Sequence, residues 1–151
     1  MKTMQTRFER DPALDHIEIV VRAPEIDSDV TKLIEDLSRR NDALLAVDTS
    51  GAWIEVPVSK IISVSVRGRQ VSIITESGNY VSRQSLQSIE DTLKTHRFVR
   101  ISRFEIVNLA KVRRYDFTLS GTLRIELAGG METWASRRCI PLIRKRLQEK
   151  E

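Results

Sequence analysis

A single cysteine, Cys139, excludes a disulfide framework and a thiolate zinc site. No apolar run approaches the ~20 residues of a membrane span. The first ten residues, Met1 to Arg10, lack the apolar core of a signal peptide. A cytoplasmic protein is the expectation. Aromatic residues make up only 5% of the chain, and no pair has the spacing of a base-stacking RNA platform. The two histidines, His16 and His96, fall in separate segments and neither has a nearby ligand set. There is no His-x-x-x-His, no paired cysteine and no glycine-rich phosphate loop. Ser102 and Ser136 each neighbour an arginine, but neither has the base and orienting group that a nucleophile needs. The expectation is no enzyme, no cofactor, no metal and no small-molecule substrate.

What is present is apolar enough to fold and unevenly charged. At 151 residues and 40% hydrophobic content, the chain is one globular domain, with or without a small appendage. Residues 1–49 hold 7 Lys/Arg against 11 Asp/Glu, a net of −4. The remaining 18 basic and 10 acidic groups give residues 50–151 a net of +8. Such asymmetry suggests two segments that face different partners. The basic part fits a nucleic-acid surface, and it equally fits an ordinary solvated basic face.

The acidic segment reads as strand–helix–strand. Ile17, Ile19 and Val21 alternate as one face of a strand does. Ala23-Pro24 ends it, since proline lacks a ladder N–H and disfavours helix in the residue before it. Asp27 or Ser28 caps a helix whose stripe is Val30, Leu33, Ile34 and Leu37. Leu44 to Val47 is a second short apolar run.

From Gly51 the pattern becomes short strands and tight turns. Trp53 to Val56 is one strand; Ile62, Val64 and Val66 alternate with Ser63, Ser65 and Arg67 in a second, half-buried one. The turn Arg67-Gly68-Arg69-Gln70 leads into Val71 to Thr75, and Ser77-Gly78-Asn79 leads into Tyr80 to Arg83. Leu86, Ile89 and Leu93 then mark a helix that Ser85 can cap, with Glu90 and Asp91 on its solvated face. Val112 to Phe117, Leu123 to Leu127 and Met131 to Ala135 read as strands, and a helix begins near Pro141. Short strands joined by tight turns predict antiparallel pairing.

The arginines fall into three groups: Arg67/Arg69, Arg97/Arg100/Arg103 and Arg137/Arg138. Each lies near a turn or strand end. A guanidinium can bridge guanine O6 and N7 or clamp a phosphate, and it can also simply pair with a surface carboxylate. Asn108, after Ile106-Val107, reads as a residue that bonds its own backbone at a turn. Cys139 reads as a small packing residue, and Trp53, Tyr80, Phe98 and Trp134 as core or strand-packing residues.

Several elements in order resemble the LytTR DNA-binding domain family over about residues 52–147. They are Arg97-Phe98-Val99-Arg100-Ile101-Ser102-Arg103 followed by Ile106-Val107-Asn108-Leu109; Ile61 to Val64; Tyr80 to Leu86 with Ile89 and Leu93; and Ala135-Ser136-Arg137-Arg138. Phe104 stands where the family commonly has Ser, and Cys139 where it often has an aromatic residue. The resemblance implies an α+β fold that is mainly β, an elongated antiparallel arrangement with short helices, over residues 47–151. Residues 1–46 would be a small strand–helix–strand segment for packing, dimerisation or regulation, of the stand-alone type without a receiver domain.

It further implies a sequence-specific transcription regulator whose loops enter successive major grooves of double-stranded DNA. Such a protein binds direct-repeat promoter sites as a homodimer, bends the DNA, and can answer to a membrane-embedded regulatory partner. By the same resemblance Arg103 and Arg137 contact bases or adjacent phosphates. Arg67, Arg69 and Gln70 form a third contact loop, and Arg100, Ser102 and Arg138 hold the DNA backbone. The alternative is a protein-interaction module with weak or lost DNA binding.

Overall fold

The fold described here is that of a computed structural model, which describes residues 3–40 and 42–149. The outermost residues of both expected segments, 1–2 and 150–151, and residue 41 lie outside them.

The first regular element is helix α1, Ser28–Arg40. Asp27 caps it, its carboxylate accepting from the Val30 N–H at 3.0 Å and satisfying one of the orphan donors of the first turn. Residues 17–21 form no strand, and Ile17 is 90% exposed. Alternation gave that stretch a strand's pattern, but no neighbour offers it a ladder, and an unpaired strand has no stability of its own.

Ten strands follow. β1 (Ala43–Val47), β2 (Trp53–Pro57), β3 (Ile61–Arg67), β4 (Gln70–Thr75) and β5 (Gly78–Ser82) precede helix α2 (Leu86–Thr92). β6 (Phe98–Ser102), β7 (Glu105–Asn108), β8 (Val112–Phe117), β9 (Leu123–Leu127) and β10 (Glu132–Ala135) precede helix α3 (Ile140–Gln148). A seven-stranded sheet runs β2-β1-β5-β4-β3-β7-β6, a three-stranded one runs β10-β9-β8, and all pairs are antiparallel.

β1 is therefore part of the large sheet, paired along its length with β2 and touching β5 through Val47–Val81. The boundary expected between residues 46 and 47 falls inside this strand. Its four leading residues are buried, as an inner strand's must be.

Two cores flank the large sheet. Leu44, Val56, Ile61, Val64, Ile73, Phe98 and Ile106 pack with Leu86, Ile89 and Leu93 of the α2 region. Ile62, Val99, Ile101 and Val107 pack with Leu123, Ile125 and Leu127 of β9 and Ile143 of α3. Alternation along β6 thus feeds both cores, which is why residues 97–103 are too apolar for a loop. Ser63 and Ser65 are buried rather than half-solvated, because the strand is covered on both faces. Their hydroxyls have no partner among the described residues.

Asn108 is buried and works as its position suggests. Its Nδ2 donates to the Ile61 carbonyl at 2.8 Å, and its Oδ1 accepts from the Ala110 N–H at 3.0 Å. It ties the end of β7 to the start of β3. The β3–β4 link is a two-residue hairpin, Gly68-Arg69, with Gly68 at φ +63°, a conformation that costs glycine little and any other residue more.

Candidate nucleic-acid interface

Four turns converge at one end of the molecule. β3 and β7 run antiparallel, so the Gly68 hairpin and the turn between β6 and β7 share an end. The Val66 N–H donates to the Phe104 carbonyl at 2.8 Å and fixes them side by side. On the other side of β6, the Ser136 N–H donates to the Ile101 carbonyl at 2.8 Å. That bond docks the chain leaving β10 beside the β6–β7 turn. Arg137 then reaches the fourth turn, between β8 and β9, donating from Nη2 to the Ser120 carbonyl at 3.1 Å.

The expected contact residues Arg67, Arg69, Gln70, Arg103, Arg137 and Arg138 all lie on these turns, and all are exposed. Three stretches more than thirty residues apart in sequence thus form one row. A row of guanidinium groups at a strand end is chemically suited to phosphates and to base edges, which both present acceptors.

Arg97, Arg100 and Arg103 do not form one group. β6 lies between the first and the last, so Arg97 sits at the opposite end, where its carbonyl accepts from the Leu109 N–H at 2.7 Å. Arg100 points from mid-strand toward α2. Its Nη1 donates to Glu90 at 2.8 Å, its Nε to the Ser102 carbonyl at 2.8 Å, and its Nη2 to the Arg103 carbonyl at 2.7 Å. All three nitrogens are engaged within the chain. Glu90, read from sequence as solvated, is the other half of a partly buried pair. Ser102 is engaged as well, its hydroxyl accepting from the Phe104 N–H at 3.1 Å. Together these bonds fix the turn that carries Arg103.

Two residues that brace β6 and β7 behind the site were not singled out from sequence. Glu105, at the start of β7, accepts from the Thr133 hydroxyl at 2.5 Å and so links the two sheets. Burial raises its carboxyl above the ordinary value of 4.5, against the Thr133 bond and the charge of Arg67, which both lower it. Arg146 of α3 donates to the Phe98 and His96 carbonyls at 2.8 and 3.0 Å, holding the far end of β6. Neither has a local sequence signal, since their partners are 28 to 50 residues away. Cys139 is half-buried against the second core and accepts from the Ser136 hydroxyl at 3.2 Å. Trp134 is not a core residue: it is 54% exposed, on β10 opposite Arg124. Among the described residues there is no cluster of side chains able to hold a metal, and no helix is long and apolar enough to cross a membrane.

An antiparallel β scaffold with its basic turns at one end presents turns, not an exposed helix, at that end. The chain belongs to the LytTR DNA-binding domain family, whose LytTr DNA-binding domain matches residues 51–148. It is a DNA-binding regulator of that family. A solved LytTr DNA-binding domain from Bacillus cereus shares the fold, with a TM-score of 0.66 and 24% identity over 71% of this chain and 97% of that one. An uncharacterised HTH-type transcriptional regulator of Staphylococcus aureus strain COL is 29% identical over 132 residues, covering 85% of this chain and 88% of its own. A counterpart from a bovine strain of that species is 28% identical over the same span. In the present chain α2 and α3 are separated by strands β6 to β10, so they do not form a helix-turn-helix pair.

Proposed function

We propose that the protein is a cytoplasmic, sequence-specific transcription regulator that binds direct-repeat promoter sites as a homodimer and bends the DNA. The convergence of four turns into one arginine-bearing end carries this reading. Arg103 and Arg137 read bases, while Arg67, Arg69, Gln70 and Arg138 hold neighbouring phosphates or edges. Arg100 and Ser102 act from behind, by fixing the turn that presents Arg103. DNA bending follows from turns at both flanks of the row seeking grooves at once, at a deformation cost the added contacts offset.

The acidic segment supports the homodimer and partner parts of the proposal. Phe8, Ile17, Ile19, Val20 and Ile26 are exposed apolar residues, which a second copy or a membrane-embedded regulatory protein would cover. The same residues favour a second reading, a protein-interaction module with little DNA binding.

Fluorescence anisotropy with random duplex DNA and with the protein's own promoter separates the two. A regulator retains promoter-selective binding at near-physiological salt, while its affinity falls with salt as phosphate contacts release counterions. Arg103→Ala and Arg137→Ala should each cost about 1–3 kcal/mol on the promoter and much less on random duplex. Equal losses on both DNAs would remove base reading from these arginines. Absence of selectivity in the wild type would leave the interaction module.

A further inference from the structure

Two exposed apolar side chains stand in the arginine row without a structural task there. Phe104 follows Arg103 directly and is 57% exposed. Leu119 is fully exposed on the β8–β9 turn, next to Ser120, whose carbonyl accepts from Arg137. A lone exposed leucine means little. This one is held in place. The Thr118 N–H donates to the Thr122 carbonyl at 2.9 Å, the Thr118 hydroxyl accepts from the Thr122 N–H at 3.1 Å, and Gly121 closes the turn at φ +86°. The turn's five residues, Thr118 to Thr122, contain no carboxylate that would repel a phosphate backbone.

We propose that Phe104 and Leu119 are the apolar companions of Arg103 and Arg137, each seated on a thymine methyl group beside the base its arginine reads. This rests on the DNA-binding reading of the row and adds to it a chemical class of base. In the major groove, guanine offers the acceptor pair O6 and N7 that suits a guanidinium, while thymine offers a methyl group that only an apolar surface recognises. Consecutive residues stand about 3.8 Å apart, close to the ~3.4 Å rise between stacked bases. Arg103 and Phe104 can therefore address neighbouring base pairs. Leu119 reaches the same relation to Arg137 through space. Arg137 commits one nitrogen to Ser120, which holds the leucine turn against the arginine and leaves the rest of the fork for DNA. The β8–β9 turn becomes a fourth contact element, and the site acquires two thymines whose methyl groups matter.

The test begins with a site selected by the full-length protein from a randomised duplex pool. Each thymine in it is then replaced singly by uracil, which removes only the methyl group. The wild-type protein should lose about fourfold in affinity at two separate thymines, the worth of one buried methyl. Leu119→Ala should become indifferent to one of these replacements and Phe104→Ala to the other. A wild type insensitive to every replacement overturns the inference, as do variants that keep both sensitivities. In either case the DNA-binding reading stands. If no sequence is selected from the pool, that reading falls, and the inference with it.

Discussion

The backbone N–H of Ser136 donates to the carbonyl of Ile101 across 2.8 Å, and through this bond the residues before Arg137 lie against the strand that leads into Arg103. Ile101 lies in the seven-stranded sheet, and Ser136, 35 positions on, directly follows β10 of the three-stranded one. The second core seals the same seam, since Val99 and Ile101 of β6 and Ala135 of β10 all belong to it. The spacing of Arg103 and Arg137 is thus set by sheet packing rather than by a flexible loop.

Arg100→Ala should weaken both the fold and the arginine-bearing end. It leaves the Glu90 carboxylate and the Ser102 and Arg103 carbonyls without their donor, a loss of about 1–3 kcal/mol. Urea unfolding should register that loss. Hydrogen exchange at the Phe104 amide should quicken even in Arg100→Lys, whose ammonium gathers its donors at one point and cannot span acceptors spread along the guanidinium fork. An unchanged Phe104 amide in both variants would show that Arg100 does not brace the turn.

Asn108→Ala should destabilise the domain by about 2–3 kcal/mol, because it removes two hydrogen bonds and leaves the buried Ile61 carbonyl without this donor. The preference for promoter over random DNA should persist in the folded fraction. Selectivity lost at unchanged stability would assign Asn108 to the interface instead.

Glu105 makes a pH-dependent contribution whose sign is opposite to that of a salt-bridged carboxylate. Burial raises its folded-state pKa above 4.5. The folded protein then binds the proton more tightly than the unfolded chain, so this group's contribution is fully present below the unfolded value. It is lost as pH rises through the raised one. The stability of the wild type relative to Glu105→Gln should accordingly fall with rising pH across that window. Urea midpoints of the two proteins, compared from acid to neutral pH, check this; a difference that grows with pH contradicts it.

Removing residues 1–24 should move the melting temperature by less than about 2 °C, as surface changes do in a domain of this size. Asp27 and α1 are kept. Removing residues 1–47 takes β1 out of the large sheet and should abolish the cooperative transition. Light scattering on the shorter deletion tests the proposed homodimer: a surviving dimer would place that interface outside residues 1–24.

Much of the fold is legible in the chain because it is local. Ser85 caps α2, its hydroxyl accepting from the Ser88 N–H at 3.1 Å, and Leu86, Ile89 and Leu93 are buried as their spacing requires. Strands β8 and β9 have their expected bounds, and in β9 the alternation is plain, with Leu123, Ile125 and Leu127 buried between half-buried Arg124 and Glu126. What the chain conceals is non-local. Alternation at Ile17–Val21 cannot say whether a partner strand exists. Nothing near Leu44 announces that its strand pairs with Val56 rather than closing a separate unit. The site follows the same division. Residue type and turn position mark out Arg67, Arg103 and Arg137. That Arg100 faces inward depends on the parity of β6, and that Arg137 meets Ser120 depends on how two sheets stack.

The incorporation of β1 into the large sheet has a mechanical consequence. Helix α1 leads straight into a strand whose main-chain bonds continue, strand by strand, to the hairpin of Arg69 and the turn of Arg103. A partner that grips α1 therefore holds the arginine-bearing end by a rigid handle. Such a partner controls the protein most readily by where it is kept, or by what shields its far end, because altering its shape from that grip would require tearing a ladder apart.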